Sequence, residues 1–312
     1  MTNATKTLAV IFVVISLLTA AVKWSSGPEA SEAFRSELIS ADTSQVSRMV
    51  IEQPAQGPLT LEKSERKWRV SSASSESYPA DSQDVNQALT RLLNLNITAV
   101  ATRNPENFTR YRVDSTGIRV SLFDGENLLS KIFVGAPQSA GQRSLNNYVR
   151  LDNEDAVYAV EGYLQSTFTK GLDDWRNKTV WDIDQSGISQ VSFSYPADSS
   201  FVIEKVPEAD QTWVSGSDTL SYPSVRPILR ELSSLEASGF VDSLAKDTFG
   251  AEKYTLRVTL AGGEQHQLRL IESETDTTVY LASNPDFPYV FSMEKNTWDE
   301  QVLKSRSELL ND

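Results

Sequence analysis

One pattern is written twice along this chain, and that duplication constrains its fold more than any other feature. Trp68 and Trp213 lie 145 positions apart, and Tyr78-Pro79 and Tyr222-Pro223 lie 144 apart. The apolar positions Val85, Leu89, Leu92 and Leu95 match Val225, Leu229, Leu232 and Leu235 at an offset of 140. Further on, Tyr148 answers Tyr280, and Val157-Tyr158 answers Val290-Phe291. Two copies of this length are too few and too long for a solenoid, so the pattern predicts two homologous domains rather than a repeat array.

Each copy reads as α+β. In the first, Val46–Glu52, Leu59–Lys63 and Lys67–Val70 are short runs with β-branched residues or alternation, separated by Pro54, Gly57-Pro58 and Ser64-Glu65. Asp81 then caps a helix whose apolar residues Val85, Ala88, Leu89, Leu92 and Leu93 recur at helical spacing, so one stripe packs on a sheet. Ile118–Phe123 and Leu128–Val134 flank a hairpin turn at Asp124–Asn127, and Asn147–Leu151 and Val157–Val160 flank another at Asp152–Asp155.

The second copy repeats this order with Val191–Tyr195, Phe201–Val206 and Thr212–Ser215, then a helix Val225–Glu236 with Pro227 in its first turn. Tyr254–Leu260 and Gln265–Ile271 form a hairpin over Gly262-Gly263, followed by Val279–Ala282 and Tyr289–Ser292. A terminal helix is expected over Lys295–Leu310 with Trp298, Val302 and Leu309 on one face. As the last element it either closes the second domain, as Tyr163, Leu164 and Phe168 do for the first, or docks on a partner.

Leu8–Val22 is uncharged and apolar, at the short end of the roughly 17 to 25 residues that span a bilayer. Lys23-Trp24 ends it as an interfacial stop, which favours an uncleaved transmembrane helix over a cleaved signal peptide. The expected organisation is therefore an anchor at 1–24, a stalk at 25–44, a first α+β repeat at 45–162, a connector at 163–187, and a second repeat with its C-terminal helix at 188–312. Zero cysteines exclude disulfides and thiol lipidation, which suits domains large enough to hold together by core packing in a bacterial periplasm. A net charge of −13, with no massed Lys/Arg face, argues against nucleic acid.

The search for chemistry yields no catalytic, cofactor-binding or metal-ligating assignment. The single histidine, His266, lies between two glutamines in a strand and reads as a strand surface residue. Gly135–Ser144 faintly echoes a phosphate loop but carries Gln142-Arg143 where Lys-Ser/Thr is required. Asp152, Glu154 and Asp155, and Glu272, Glu274 and Asp276, lack the spacing of a calcium loop and read as solvated turns. Asp173-Asp174 and Asp182 to Asp184 flank Trp175 and Trp181, which stack on a glycan or belong to a core.

The Lys67-Trp68-Arg69-Val70 strand, the Tyr78-Pro79-Ala80-Asp81 turn, the Gly117–Gly135 hairpin, the Asn147-Tyr148-Val149-Arg150 strand and Trp175-Arg176-Asn177-Lys178, in that order behind an N-terminal anchor, resemble the bacterial domain of unknown function 4340 family. The resemblance implies envelope proteins with no established activity, in some bacteria encoded beside ABC-type transport systems similar to those linked to gliding motility. It brings no catalytic residues.

The expectation is a non-enzymatic, membrane-anchored accessory or scaffold protein of a bacterial envelope complex, single-pass in the inner membrane, with protein partners and no cofactor. The alternative is a periplasmic module that binds glycan, peptide or lipid in the cleft between the repeats.

Overall fold

In β1 (Arg48–Glu52) burial alternates residue by residue, with Met49 and Ile51 turned inward, and the same period of two runs through the neighbouring strands. The computed structural model describes residues 38–311 apart from positions 55, 74–75, 140–144, 198, 208, 210, 245–248 and 251. The expected anchor over 1–24 lies outside the described residues, and among them no helix is long and apolar enough to cross a membrane. Leu38 and Ile39, at the end of the expected stalk, are buried.

The described residues divide into two compact units, one ending at Leu172 and the next beginning at Asp173. The first is built on β1, β2 (Leu59–Ser64), β3 (Lys67–Ser72), β4 (Tyr78–Pro79), α1 (Ser82–Leu93), β5 (Ile97–Thr102), α2 (Phe108–Tyr111), β6 (Ile118–Asp124), β7 (Asn127–Val134), β8 (Gln138–Ser139), β9 (Leu145–Leu151), β10 (Val157–Glu161) and α3 (Leu164–Phe168). Its sheet runs β4-β3-β2-β1-β6-β7-β9-β10-β5, with β8 beside β9, and every pairing is antiparallel.

The second unit opens with α4 (Leu172–Trp175), which begins at the division, and β11 (Thr179–Asp182). It continues through β12 (Ile188–Ser194), β13 (Phe201–Lys205), β14 (Trp213–Ser215), β15 (Asp218–Leu220), α5 (Tyr222–Ser233), β16 (Ser234–Glu236) and β17 (Gly239–Val241). The last elements are β18 (Tyr254–Leu260), β19 (Gln265–Glu272), β20 (Val279–Ser283), β21 (Val290–Glu294), α6 (Lys295–Gln301) and α7 (Arg306–Asn311). Its sheet order is β15-β14-β13-β12-β18-β19-β20-β21-β17, the same nine-strand path as in the first unit. The fold is thus mixed α+β with mainly antiparallel sheets.

The two sheets also share register. Met49 faces Leu61 on one side and Leu122 on the other, and Val191 faces Ile203 and Val258 in the same way. Asp81 accepts from the backbone amides of Gln83 and Asp84 at the start of α1, while Ser221 takes the N-cap position of α5. The inward stripe Val85, Ala88, Leu89 and Leu92 corresponds to Val225, Ile228, Leu229 and Leu232. The indole of Trp68 donates to Asn86 Oδ1 at 3.1 Å, which ties α1 to β3.

Several expectations change. Tyr78-Pro79 forms the edge strand β4, whereas Tyr222-Pro223 opens α5; the ladder equates Tyr78-Pro79 with Asp218-Thr219, so the matching dipeptides are not structural counterparts. The helix expected over Val225–Glu236 starts three residues earlier and ends at Ser233, because Pro223 suits the first turn and Ser234–Glu236 is drawn into a ladder with β11. Tyr148 aligns with Leu281 and not Tyr280, since Val149 and Ala282 hold the same place in their ladders. That one-residue difference reverses the face, leaving Tyr148 half-buried and Tyr280 fully buried.

The terminal helix is two helices. Ser305 accepts from the amide of Glu308 at 3.3 Å while the Glu308 carboxylate accepts from the amide of Ser305 at 2.7 Å, a capping box that starts α7 afresh. Trp298, Val302 and Leu309 are all buried in the core of the second unit, so the face they form closes the unit. After the first sheet, Leu164 and Phe168 of α3 do the same, whereas Tyr163 is 69% exposed and takes no part.

Candidate functional site

The acidic turn Asp152–Asp155 is assembled around a cation. Arg150, only 7% exposed, donates from Nε to the carbonyl of Val113 at 3.0 Å and from Nη1 to those of Leu151, Asp152 and Glu154 at 3.1, 3.3 and 3.1 Å. Its guanidinium carbon lies 4.2 Å from the ring centre of Phe108 and 4.5 Å from that of Phe133. Burial lowers the pKa of Arg150 from the usual arginine value, against the opposing pull of Asp152, Asp155 and Asp114. The carboxylates turn elsewhere: Asp152 pairs with Lys131 at 3.3 Å and Glu154 accepts from the Tyr158 hydroxyl at 2.9 Å.

The second acidic run is also dispersed. Asp276 accepts from the amide and hydroxyl of Thr278, and Glu272 pairs with Lys253 at 2.7 Å and with Lys295 at 3.5 Å. Among the described residues, no three histidine or carboxylate side chains gather as metal ligands.

His266 sits on β19 opposite Val258, its ring 5.6 Å from that of Trp181 and its Nε2 3.3 Å from Glu264 Oε1. It is more covered than a strand surface residue, with a side chain 14% exposed. Trp181 is buried and donates from its indole nitrogen to the carbonyl of Leu232 at 2.6 Å; Trp175 is also buried, so both connector tryptophans are packed and not presented to a glycan. Asp184 caps a short 3-10 turn through Ser186. Residues 140–144 of the phosphate-loop echo lie outside the described residues.

A polar cluster in the second unit escaped the sequence reading. The hydroxyl of Tyr280 donates to Asp299 Oδ1 at 2.6 Å and accepts from Lys295, which itself pairs with Asp299 at 3.3 Å. Burial, reinforced by Asp299, pushes the Tyr280 hydroxyl far above the ordinary tyrosine range, so it stays protonated as a donor. Lys295 and Asp299 lie four apart on α6 and are visible in the sequence as a helical pair; their connection to Tyr280 and Glu272 exists only once α6 lies on the sheet. The cluster braces α6.

The first unit holds an opening at one end of its sheet, of about 560 Å³, bordered by Gln53, Arg112, Thr116, Ile118, Gln165 and Thr169 among others. Gln53 is fixed by donating to the carbonyls of Phe168 at 2.9 Å and Lys170 at 2.8 Å. Asp114 clamps the facing loop, accepting from the Thr109 hydroxyl at 2.5 Å and from the amide and hydroxyl of Thr116 at 2.9 and 2.6 Å. A Cβ on Gly117 would fall 1.8 Å from the carbonyl oxygen of Arg112, and one on Gly135 2.0 Å from that of Tyr111, so both positions admit only glycine.

Register places Tyr195, Lys253 and Tyr254 of the second unit where the first has Gln53, Gly117 and Ile118. There the tyrosine rings meet edge to face at 5.5 Å, Tyr195 donates to the carbonyl of Lys304 at 2.9 Å, and Lys253 pairs with Glu272. The same end of the sheet is open in one unit and packed with aromatic rings in the other.

A family model described as "Domain of unknown function (DUF4340)" matches residues 68–257, well over half of the chain. The chain belongs to this family. The DUF4340 match begins at Trp68 on β3 of the first unit and ends at Arg257 on β18 of the second. No curated protein and no solved structure matches the chain. Of the residues that carried the family resemblance, Trp68 is a core side chain, and Arg176 is 1% exposed, bonded to Asp173 at 3.0 Å and Asp242 at 2.8 Å beneath the ring of Phe240.

Proposed function

We propose that the chain is a non-enzymatic, membrane-anchored accessory or scaffold protein of a bacterial envelope complex, held in the inner membrane by Leu8–Val22 with its bulk in the periplasm. ABC-type transport systems are the partner class that the family resemblance favours. The matching strand order and register of the two units support their origin by internal duplication.

The observation that carries this reading is an apolar pair. Leu128 and Leu129, at the start of β7 beside the hairpin turn, are 54% and 37% exposed. Together with Leu38 and Ile39 they border a groove of about 420 Å³, so a partner held there meets the unit near the point where the chain from the anchor enters it. Support also comes from the polar clusters, where Arg150, Arg176 and Lys295 are each engaged with neighbours that hold the fold together.

The test is affinity capture of the full chain in mild detergent, compared with a Leu128→Asn, Leu129→Asn double variant. Because both side chains face solvent, the variant should keep its melting temperature and lose the co-purifying proteins. Recovery of the same proteins with the variant would show the reading to be wrong.

A further inference from the structure

The geometry points to the open end of the first unit as a binding site for a compact carboxylate-bearing ligand, with Arg112 as the contact for the anionic group. This inference is independent of the partner reading above, which concerns the opposite end of the same hairpin.

The comparison between the units is the first argument. Their ladders place Gln53 with Tyr195 and Ile118 with Tyr254, so the same strand register flanks both ends. In the second unit the two tyrosines pack edge to face at these positions. In the first, a glycine, an amide and an aliphatic side chain stand at those positions, and a volume of about 560 Å³ remains. That lies within the roughly 300 to 1,000 Å³ of small-molecule sites.

Arg112 supplies the second. Its backbone is left-handed, at φ 53° and ψ 44°, a conformation uncommon for a residue with a side chain. It ends α2 as a left-handed C-cap, a conformation that surrounding contacts hold in place. Here the contacts are the bond from the Arg112 amide to Thr109 and the approach of Gly117, whose loop Asp114 holds. The Arg112 side chain is exposed at the rim and makes no ion pair among the described residues, although the chain carries 42 acidic side chains against 29 basic ones.

The lining then selects the ligand. No described carboxylate borders the opening; hydroxyls and amides do, over a buried aliphatic floor of Ile118 and Val134. One guanidinium amid neutral donors and acceptors matches a monoanion that can take its fork of two hydrogen bonds, whereas a dianionic phosphate calls for additional positive charge. The amides and hydroxyls suit a polar body next to the carboxylate, either a peptide ending in a free carboxylate or a sugar acid.

Isothermal calorimetry on the full chain in mild detergent, with tri-alanine, its C-terminal amide and glucuronate as probes, separates these sources. Saturable binding of tri-alanine, weakened about tenfold or more by amidation, assigns a peptide end, and binding of glucuronate alone assigns a sugar acid. Arg112→Asn should abolish either without lowering the melting temperature, because Asn accepts the left-handed backbone. Gln165→Glu, which places a carboxylate beside the ligand's own, should weaken binding to a similar degree and gives a second reading if Arg112→Asn proves unstable. Absence of saturable binding by both acids, equal binding of acid and amide, or wild-type binding by both variants would overturn the proposal.

Discussion

Trp68 and Trp213 occupy the same node of two matching ladders, each directly across from a lysine on the preceding strand, Lys63 in one unit and Lys205 in the other. Both rings are 2% exposed. Truncating either to alanine should destabilise its own unit by about 3 to 5 kcal/mol, the usual cost of deleting a buried aromatic side chain. Denaturant unfolding followed by hydrogen exchange would locate the loss: Trp68→Ala should expose amides of β1 to β4 and α1, and Trp213→Ala those of β12 to β15 and α5.

Arg150 holds four backbone carbonyls of the first unit. Arg150→Met keeps an unbranched side chain beside Phe108 and Phe133 but removes the guanidinium over their rings and the donor from four carbonyls. The expected loss exceeds about 3 kcal/mol, and Arg150→Lys should recover little of it, since an ammonium lacks the planar fork. A melting curve of the three forms checks the order.

Acid should loosen the loop beside the open end of the first unit. Burial alone would raise the pKa of Asp114, but the hydrogen bonds from Thr109 and Thr116 outweigh it and hold the carboxyl below its ordinary value. A carboxyl with a lowered folded-state pKa stabilises at pH above its unfolded value of about 3.9, and that contribution disappears as pH falls through the folded value. The protection of the amides of residues 112–117, taken relative to their intrinsic exchange at each pH, should therefore fall below about pH 4 in the wild type, and be low and less dependent on pH in Asp114→Asn.

Ser305→Ala removes one half of the capping box that begins α7. About 0.5 to 2 kcal/mol of local stability should go with it, seen as faster amide exchange over Arg306–Asn311 with little change elsewhere.

Local patterns were the legible part of this fold. The spacing of Val85, Ala88, Leu89 and Leu92 behind Asp81 gave α1 nearly to the residue, because cap and stripe lie within one turn of each other. The Ser305-x-x-Glu308 signature was equally present, but the wider apolar spacing of Trp298, Val302 and Leu309 suggested one helix across it. β5 and β17 went unforeseen because each is an edge strand that needs its partner, β10 or β21, to define it. The sites were harder still. Arg150 reaches Val113 across 37 positions and Gln53 reaches Phe168 across 115, and no spacing rule connects residues that only the completed sheet brings together.

The central claim is an anchored protein with both units in the periplasm, and protease accessibility tests it most directly. In intact spheroplasts, added protease should degrade both units, and the full-length chain should stay in the membrane fraction after a carbonate wash. Protection in spheroplasts with degradation only in inverted vesicles would contradict the orientation, and recovery of a mature chain lacking Leu8–Val22 would contradict the anchor.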